Sequence, residues 1–351
     1  MKALQLAALS ALVFAGQGCA LLSSVGIKTP PGVPNVDPQK LAQWGKESQD
    51  YAETLCASII KEEVGFDEEH AIGGVVGVQL ISSAGHLFLD GLGEKDPKKL
   101  NDSLEAKKAV TLPDSTINDL TAYVSIVGRN LARYSARPEL PWTFAVIQNE
   151  SVNAFSAPGG YVVVTTGLLK KITNEAQLAG VLGHEIGHVV HKHSLIKYRD
   201  AKHKQCIAAN YTSHLVELGG PKSPATDAVA AFAKKFEGKI DLDKEKDAGF
   251  IKFIMKVLIG LLQSANDKDS EFQTDKTGLE LVVFAGYDAS EYEKFLTSLG
   301  SQGGGIGAGH PSTEDRVARL KALREGELKD FATGTAKPDT TKMFAPVMAL
   351  K

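Results

Sequence analysis

The 351-residue sequence predicts an α+β protein, mainly helical with a small antiparallel sheet. Three observations carry this expectation. Apolar residues recur at helical spacing over most of the chain. Two short strand-like runs, Trp142–Gln148 and Tyr161–Thr166, flank Pro158-Gly159-Gly160. A capped, glycine-rich helix then follows, carrying two histidines four residues apart.

The first element is a leader. Met1-Lys2 precedes an apolar run from Ala3 to Ala15, then the small residues Gly16, Gly18 and Ala20. That run is shorter than the roughly 20 residues a spanning helix needs, and the layout is that of a secretory signal over residues 1–19. The stretch Ala15-Gly16-Gln17-Gly18-Cys19 resembles a bacterial lipoprotein signal, in which Cys19 would be acylated. Gly16 stands where such signals carry Leu, and simple cleavage after Ala20 is the competing expectation. The Pro-rich stretch Lys28–Pro38 then serves as a tether.

Residues 20–110 form the tether and an N-terminal helical region. A helix is expected from Asp37 to about Val64, on the spacing of Trp44, Tyr51, Leu55, Ile59 and Ile60. Ala71–Leu89 lacks charge and contains Gly73-x-x-x-Gly77, which raises a membrane helix. Gln79, Ser82, Ser83 and His86 make a poor lipid-facing surface, so a helix packed on the main domain is favoured. Cys56 and Cys206 could pair in an oxidising compartment, but two thiols make no disulfide framework.

The main domain is expected over residues 111–325, with a loose tail over 326–351. Asp114 or Ser115 caps a helix reaching Tyr134, and Pro138 and Pro141 then break the chain. The two strand-like runs joined by a glycine turn suggest an antiparallel pair. Asn174 with Gln177 three residues on resembles a capping box, opening a helix to about His193. Gly180, Gly183 and Gly187 each cost that helix roughly 1 kcal/mol relative to Ala, so a packed strand or a metal site must press on them. Thr226–Gln263 reads as further helix.

The formal net charge is −3, with no basic cluster, which excludes a nucleic-acid partner. The chemistry centres on His184-Glu185-Ile186-Gly187-His188. Residues four apart share a helix face, so both imidazoles can reach one Zn2+ ion, and Glu185 stands beside them to take a proton from water. Gly and His are absent from positions 191 and 194, which hold His191 and Ser194, so the third ligand does not come from this helix. Glu271 and Asp275 lie four apart further on. One can bind metal while the other accepts a hydrogen bond from a ligand histidine and fixes its tautomer. His191 and His193 read as helix-end or supporting residues.

Together with Asn153-Ala154-Phe155-Ser156-Ala157-Pro158-Gly159-Gly160-Tyr161, these segments resemble the CAAX-prenyl-protease/HtpX-like zinc metalloendopeptidases, nearest to soluble periplasmic lipoproteins of the LoiP and BepA type. The resemblance implies a zincin-like fold, one Zn2+ held by His184, His188 and Glu271, and Glu185 as general base. It places Asn153, Ala154 and Phe155 along the substrate cleft. His310 and Arg316, in His310-Pro311-Ser312-Thr313-Glu314-Asp315-Arg316, would face the site, with His310 able to swing onto the metal. Thr274 departs from the family's usual Ala. The implied clients are unfolded or misfolded envelope proteins, met in the periplasm by a chain anchored to the outer membrane through Cys19. A client-holding chaperone is the alternative.

Overall fold

The structure, a computed structural model, describes residues 37–85, 114–220, 222, 267–299, 313–332 and 347. The described chain divides into two compact units. One takes residues 1–64 and 198–241, the other 65–197 and 242–351.

In the smaller unit, helix α1 (Pro38–Lys61) starts where Asp37 accepts the Gln39 N–H and Pro38 presets the first turn. The part of helix α6 (His193–Glu217) that belongs to this unit packs on α1 through Ala52, Tyr211 and Leu215, with Trp44 and Ile207 around them. Cys56 and Cys206 form a disulfide, with Cα atoms 6.0 Å apart. The open question of their pairing is therefore resolved.

The larger unit contains helices α2 (Phe66–Gly85) and α3 (Asp114–Ala132), strands β1 (Thr143–Ile147), β2 (Ala154–Ala157) and β3 (Tyr161–Thr165), and helices α4 (Thr166–Lys171) and α5 (Glu175–Val190). Helices α7 (Lys268–Phe284), α8 (Ser290–Leu299) and α9 (Thr313–Glu325) complete it. Leucines, valines and aromatics of α3, β1, β3, α5, α7 and α8 share one core.

The sheet order is β1-β3-β2. The expected antiparallel pairing of the two strand-like runs is corrected: β1 runs parallel to β3, with Thr143 opposite Tyr161. The antiparallel partner of β3 is the short β2, Ala154 opposite Val164. Pro158-Gly159-Gly160 turns β2 into β3, and Gly159 (φ 76°) and Gly160 (φ 95°) hold the left-handed conformations that the turn needs. The glycines thus mark a hairpin whose first strand is too short to show an alternation.

Gly73 of α2 lies against the Pro158 carbonyl, and Gly77 against the Tyr161 ring. The Gly-x-x-x-Gly spacing thus serves close packing on this hairpin. Among the described residues no helix is long and apolar enough to cross a membrane. Buried Glu69 anchors the same junction. It forms a bidentate pair with Arg137 at 2.8 Å and accepts the Gly159 N–H at 3.1 Å.

Beyond α9, Leu328 is buried in the core and Lys276 pairs with Glu327, so the segment directly after Arg324 is held, not loose. The expected leader, Cys19, the helical stretch of residues 226–263 and His310 lie outside the described residues.

Candidate metal centre

Helix α5 is built to be approached closely. Asn174 accepts the Gln177 N–H at 3.0 Å, and the Gln177 side chain accepts the Thr173 N–H at 2.9 Å, a near-reciprocal cap. Glu175, buried in the first turn, accepts hydroxyls from Tyr123 and Tyr287 at 2.8 and 2.9 Å. The three glycines then admit neighbours. Tyr292 lies on Gly180, Gly278 on Gly183 and Thr274 on Gly187. The neighbours are helices α7 and α8, where the sequence suggested a strand or a metal.

This crossing delivers the third ligand. His184 and Glu271 are fully buried, and His188 is 7% exposed. The His184 and His188 Nε2 atoms stand 3.1 Å apart. Glu271 Oε2 is 3.4 Å from His184 Nε2, and its Oε1 is 3.5 Å from His188 Nε2. A tetrahedral ion with bonds of about 2.0–2.1 Å spaces its ligands about 3.3 Å apart, so the three edges suit a small metal ion. These three residues form a group whose ligand atoms lie within 4.8 Å of one another.

Charge points the same way. Glu185, Glu271 and Asp275 are all buried, and Arg316 is buried on Asp275. Arg316 answers Asp275, which leaves Glu271 and Glu185 as acidic groups in a solvent-poor space, where a cation held at His184 and His188 would be favoured. His184 reports this acidic setting. Burial and Arg316 push its pKa down, yet the Asp275 and Glu271 carboxylates outweigh them and raise it to about 9. Glu185 is 2% exposed and its Oε1 has no hydrogen-bond partner. A buried carboxylate oxygen left unpartnered beside two histidines suits a proton acceptor for a water.

Asp275 sits behind His184, its Oδ1 2.9 Å from Nδ1. A proton on Nδ1 belongs to this contact, and Nε2 is the nitrogen turned toward His188 and Glu271. Arg316, expected to face the site, reaches it from behind Asp275. It is 1% exposed, and its guanidinium is engaged by Asp275 at 2.8 and 2.7 Å and by the Tyr292 hydroxyl at 2.9 Å. Burial would raise the Asp275 pKa, but the Arg316 charge and hydrogen bonds hold the carboxyl well below its ordinary range. Tyr292 was not legible as a site residue, because it lies in an ordinary amphipathic helix.

His193 is the other residue that sequence left undefined. Its Nδ1 is 2.9 Å from His188 Nδ1, and burial pushes its pKa down. Asn153, Ala154 and Phe155 lie at and just before the start of edge strand β2. Ala154 is buried, Phe155 half-buried, and the buried Oδ1 of Asn153 has no partner. A pocket lined by Ser156, Ala157, Pro158, His188 and Lys192 lies between the end of β2 and the metal ligands.

Comparison with known proteins agrees with this geometry. The chain is 27% identical over 225 residues to the putative beta-barrel assembly-enhancing protease of Vibrio cholerae, covering 61% of this chain and 42% of that protein. It is 26% identical over 218 residues to the Escherichia coli beta-barrel assembly-enhancing protease, with 61% and 39% covered. It is 27% identical over 216 residues to the mitochondrial metalloendopeptidase OMA1 of Schizosaccharomyces pombe, with 60% and 55% covered. The chain thus spans about two fifths to just over half the length of these relatives. The sequence pattern of Peptidase family M48 matches residues 118–324, the stretch that holds α5, α7 and all three candidate ligands, and the chain belongs to that family of metallopeptidases.

Proposed function

We propose that the protein is a zinc-dependent endopeptidase that hydrolyses peptide bonds of unfolded or misfolded envelope proteins. The observation that carries this reading is the buried, unpartnered Oε1 of Glu185, next in sequence to His184, in a helix whose His184 and His188 group with Glu271.

The two Nε2 atoms and the Glu271 carboxylate would hold Zn2+. When bound, zinc supplies a Lewis acid that acidifies water and polarises the scissile carbonyl. Glu185 accepts the proton of the attacking water and passes it to the leaving amine. Asp275, itself clamped by Arg316, keeps the His184 proton on Nδ1 and the ring in place. Strand β2 offers an edge to an extended substrate, with Asn153, Ala154 and Phe155 along it. Backbone pairing of this kind favours flexible segments over one narrow sequence.

The periplasm is the proposed compartment. The Cys56–Cys206 disulfide suits an oxidising environment, and the leader with Cys19 suits export and lipid anchoring at the outer membrane.

The test is cleavage of an unfolded protein by the purified full chain, beside Glu185→Gln. The expected result is cleavage that a chelator stops and that the variant lowers by about 10²–10⁴-fold or more while zinc stays bound. Zinc binding without cleavage in either protein would replace the peptidase with a client-holding chaperone.

A further inference from the structure

The two ligand histidines are backed in different ways. His184 turns its Nδ1 to the carboxylate of Asp275. His188 turns its Nδ1 to another imidazole, that of His193, at 2.9 Å. One proton serves that contact, and the surroundings fix which ring carries it.

His188 Nε2 faces His184 Nε2 and Glu271, where an unprotonated nitrogen is needed to bind metal. The His188 proton is therefore on Nδ1, and His193 Nδ1 accepts it. His193 then carries its own proton on Nε2, which lies 3.4 Å from the Gln273 Oε1 acceptor. Thr274 does not disturb the chain. Its hydroxyl donates to the Ser270 carbonyl at 2.7 Å, leaving only its oxygen toward the two Nδ1 atoms, each 3.4 Å away.

The backbone is bent to make this contact. Helix α5 ends at Val190, with the His191 N–H donating to the Gly187 and Val189 carbonyls. Lys192 then takes a φ of 57°, and it is the one non-glycine residue with positive φ among the described residues. A lysine in the left-handed region is strained and persists where its surroundings over-determine it. The turn starts α6 at His193 and brings that ring back against His188.

We propose that His193 is a positioning residue for the metal centre, a neutral imidazole that accepts the Nδ1–H of His188 and fixes its tautomer, linked onward to Gln273. The assignment rests on the metal-site reading above and adds to it a second support, distinct from Asp275.

The experiment compares the full-length protein with His193→Asn, which keeps an acceptor at the δ position, and His193→Leu, which keeps bulk alone. Zinc affinity is read by chelator competition, and imidazole ¹⁵N spectra of the zinc-loaded wild type report the tautomers. The expected result is a loss of about 10–100-fold in zinc affinity for His193→Leu, with most of it regained in His193→Asn. The spectra should place protons on His188 Nδ1 and His193 Nε2. Wild-type zinc affinity in His193→Leu, or His193→Asn no better than His193→Leu, would reduce His193 to a packing residue. A proton on His193 Nδ1 would overturn the proposal even if neither variant folds. Wild-type protein that binds zinc yet cleaves nothing removes the peptidase reading and leaves this comparison intact.

Discussion

At the scale of single residues, the pair Asp275–Arg316 links metal affinity to stability. Its charges are buried and mutually satisfied, so removing one leaves the other stranded. Asp275→Asn should cost about 3–5 kcal/mol by thermal or denaturant unfolding, and should weaken zinc binding by about 10–100-fold. The pair also sets the acid behaviour of metal-free protein. A carboxyl held below its unfolded value of 3.8 stabilises the fold above that pH and loses its contribution as pH falls. Acid unfolding curves of chelator-treated protein should therefore steepen below about pH 4 and flatten in Asp275→Asn; identical curves would contradict this role. His184, Glu185 and His188 were legible from the H-E-x-x-H spacing, and Glu271 and Asp275 as a pair four apart on one helix face; the choice of Glu271 as the ligand rested on the family resemblance. Arg316 was legible as a site residue but not its direction, since facing substrate or facing Asp275 depends on how α9 packs. The partnership of His193 with His188 depends on one left-handed residue, and no spacing rule foresees it.

At the scale of elements, the site depends on how closely two helices cross. A Cβ at Gly278 would come 2.9 Å from the His184 backbone nitrogen and 3.0 Å from the Gly183 carbonyl carbon. Two opposing effects meet in Gly278→Ala. Helix propensity favours alanine by roughly 0.8–1.0 kcal/mol. Overpacking costs about 1–3 kcal/mol, and the upper end applies where the obstacle is backbone. Net destabilisation is expected, together with weaker zinc binding as α7 carries Glu271 away from His184; a stabilised variant with full zinc affinity would refute the crossing. The glycines of α5 announced a close neighbour, though not that it was a helix, because a missing Cβ admits any partner. The sheet was harder to read. Four residues of β2 show no alternation, and the parallel pairing of β1 with β3 depends on a crossover that local pattern does not encode. Glu69 and Arg137, 68 positions apart, were likewise invisible as a pair. Glu69→Ala alone should cost about 3–5 kcal/mol, whereas replacing both residues by apolar side chains should recover most of that loss in the same unfolding assay.

At the scale of the whole molecule, two separate staples act on different units. In the larger unit the staple would be the metal proposed for His184, His188 and Glu271. An ion bound to the folded state alone stabilises it by mass action, so chelation should lower the thermal midpoint, and zinc should restore it in a concentration-dependent way. In the smaller unit it is the disulfide, whose cysteines lie 150 positions apart in the chain. Chain entropy makes such a cross-link worth roughly 5 kcal/mol against an unfolded state free to open that loop. That figure is an upper bound, because residual structure in the unfolded chain already restricts it. Composition could not reveal the bond, since two cysteines in a chain of this length pair only if helices α1 and α6 meet at those positions. The Cys56→Ser, Cys206→Ser double variant should therefore lose several kcal/mol in denaturant unfolding while its zinc affinity stays near wild type. The cysteines belong to the smaller unit and all three metal ligands to the larger. Equal zinc loss in the double variant would show that α6 transmits strain from the disulfide to His193.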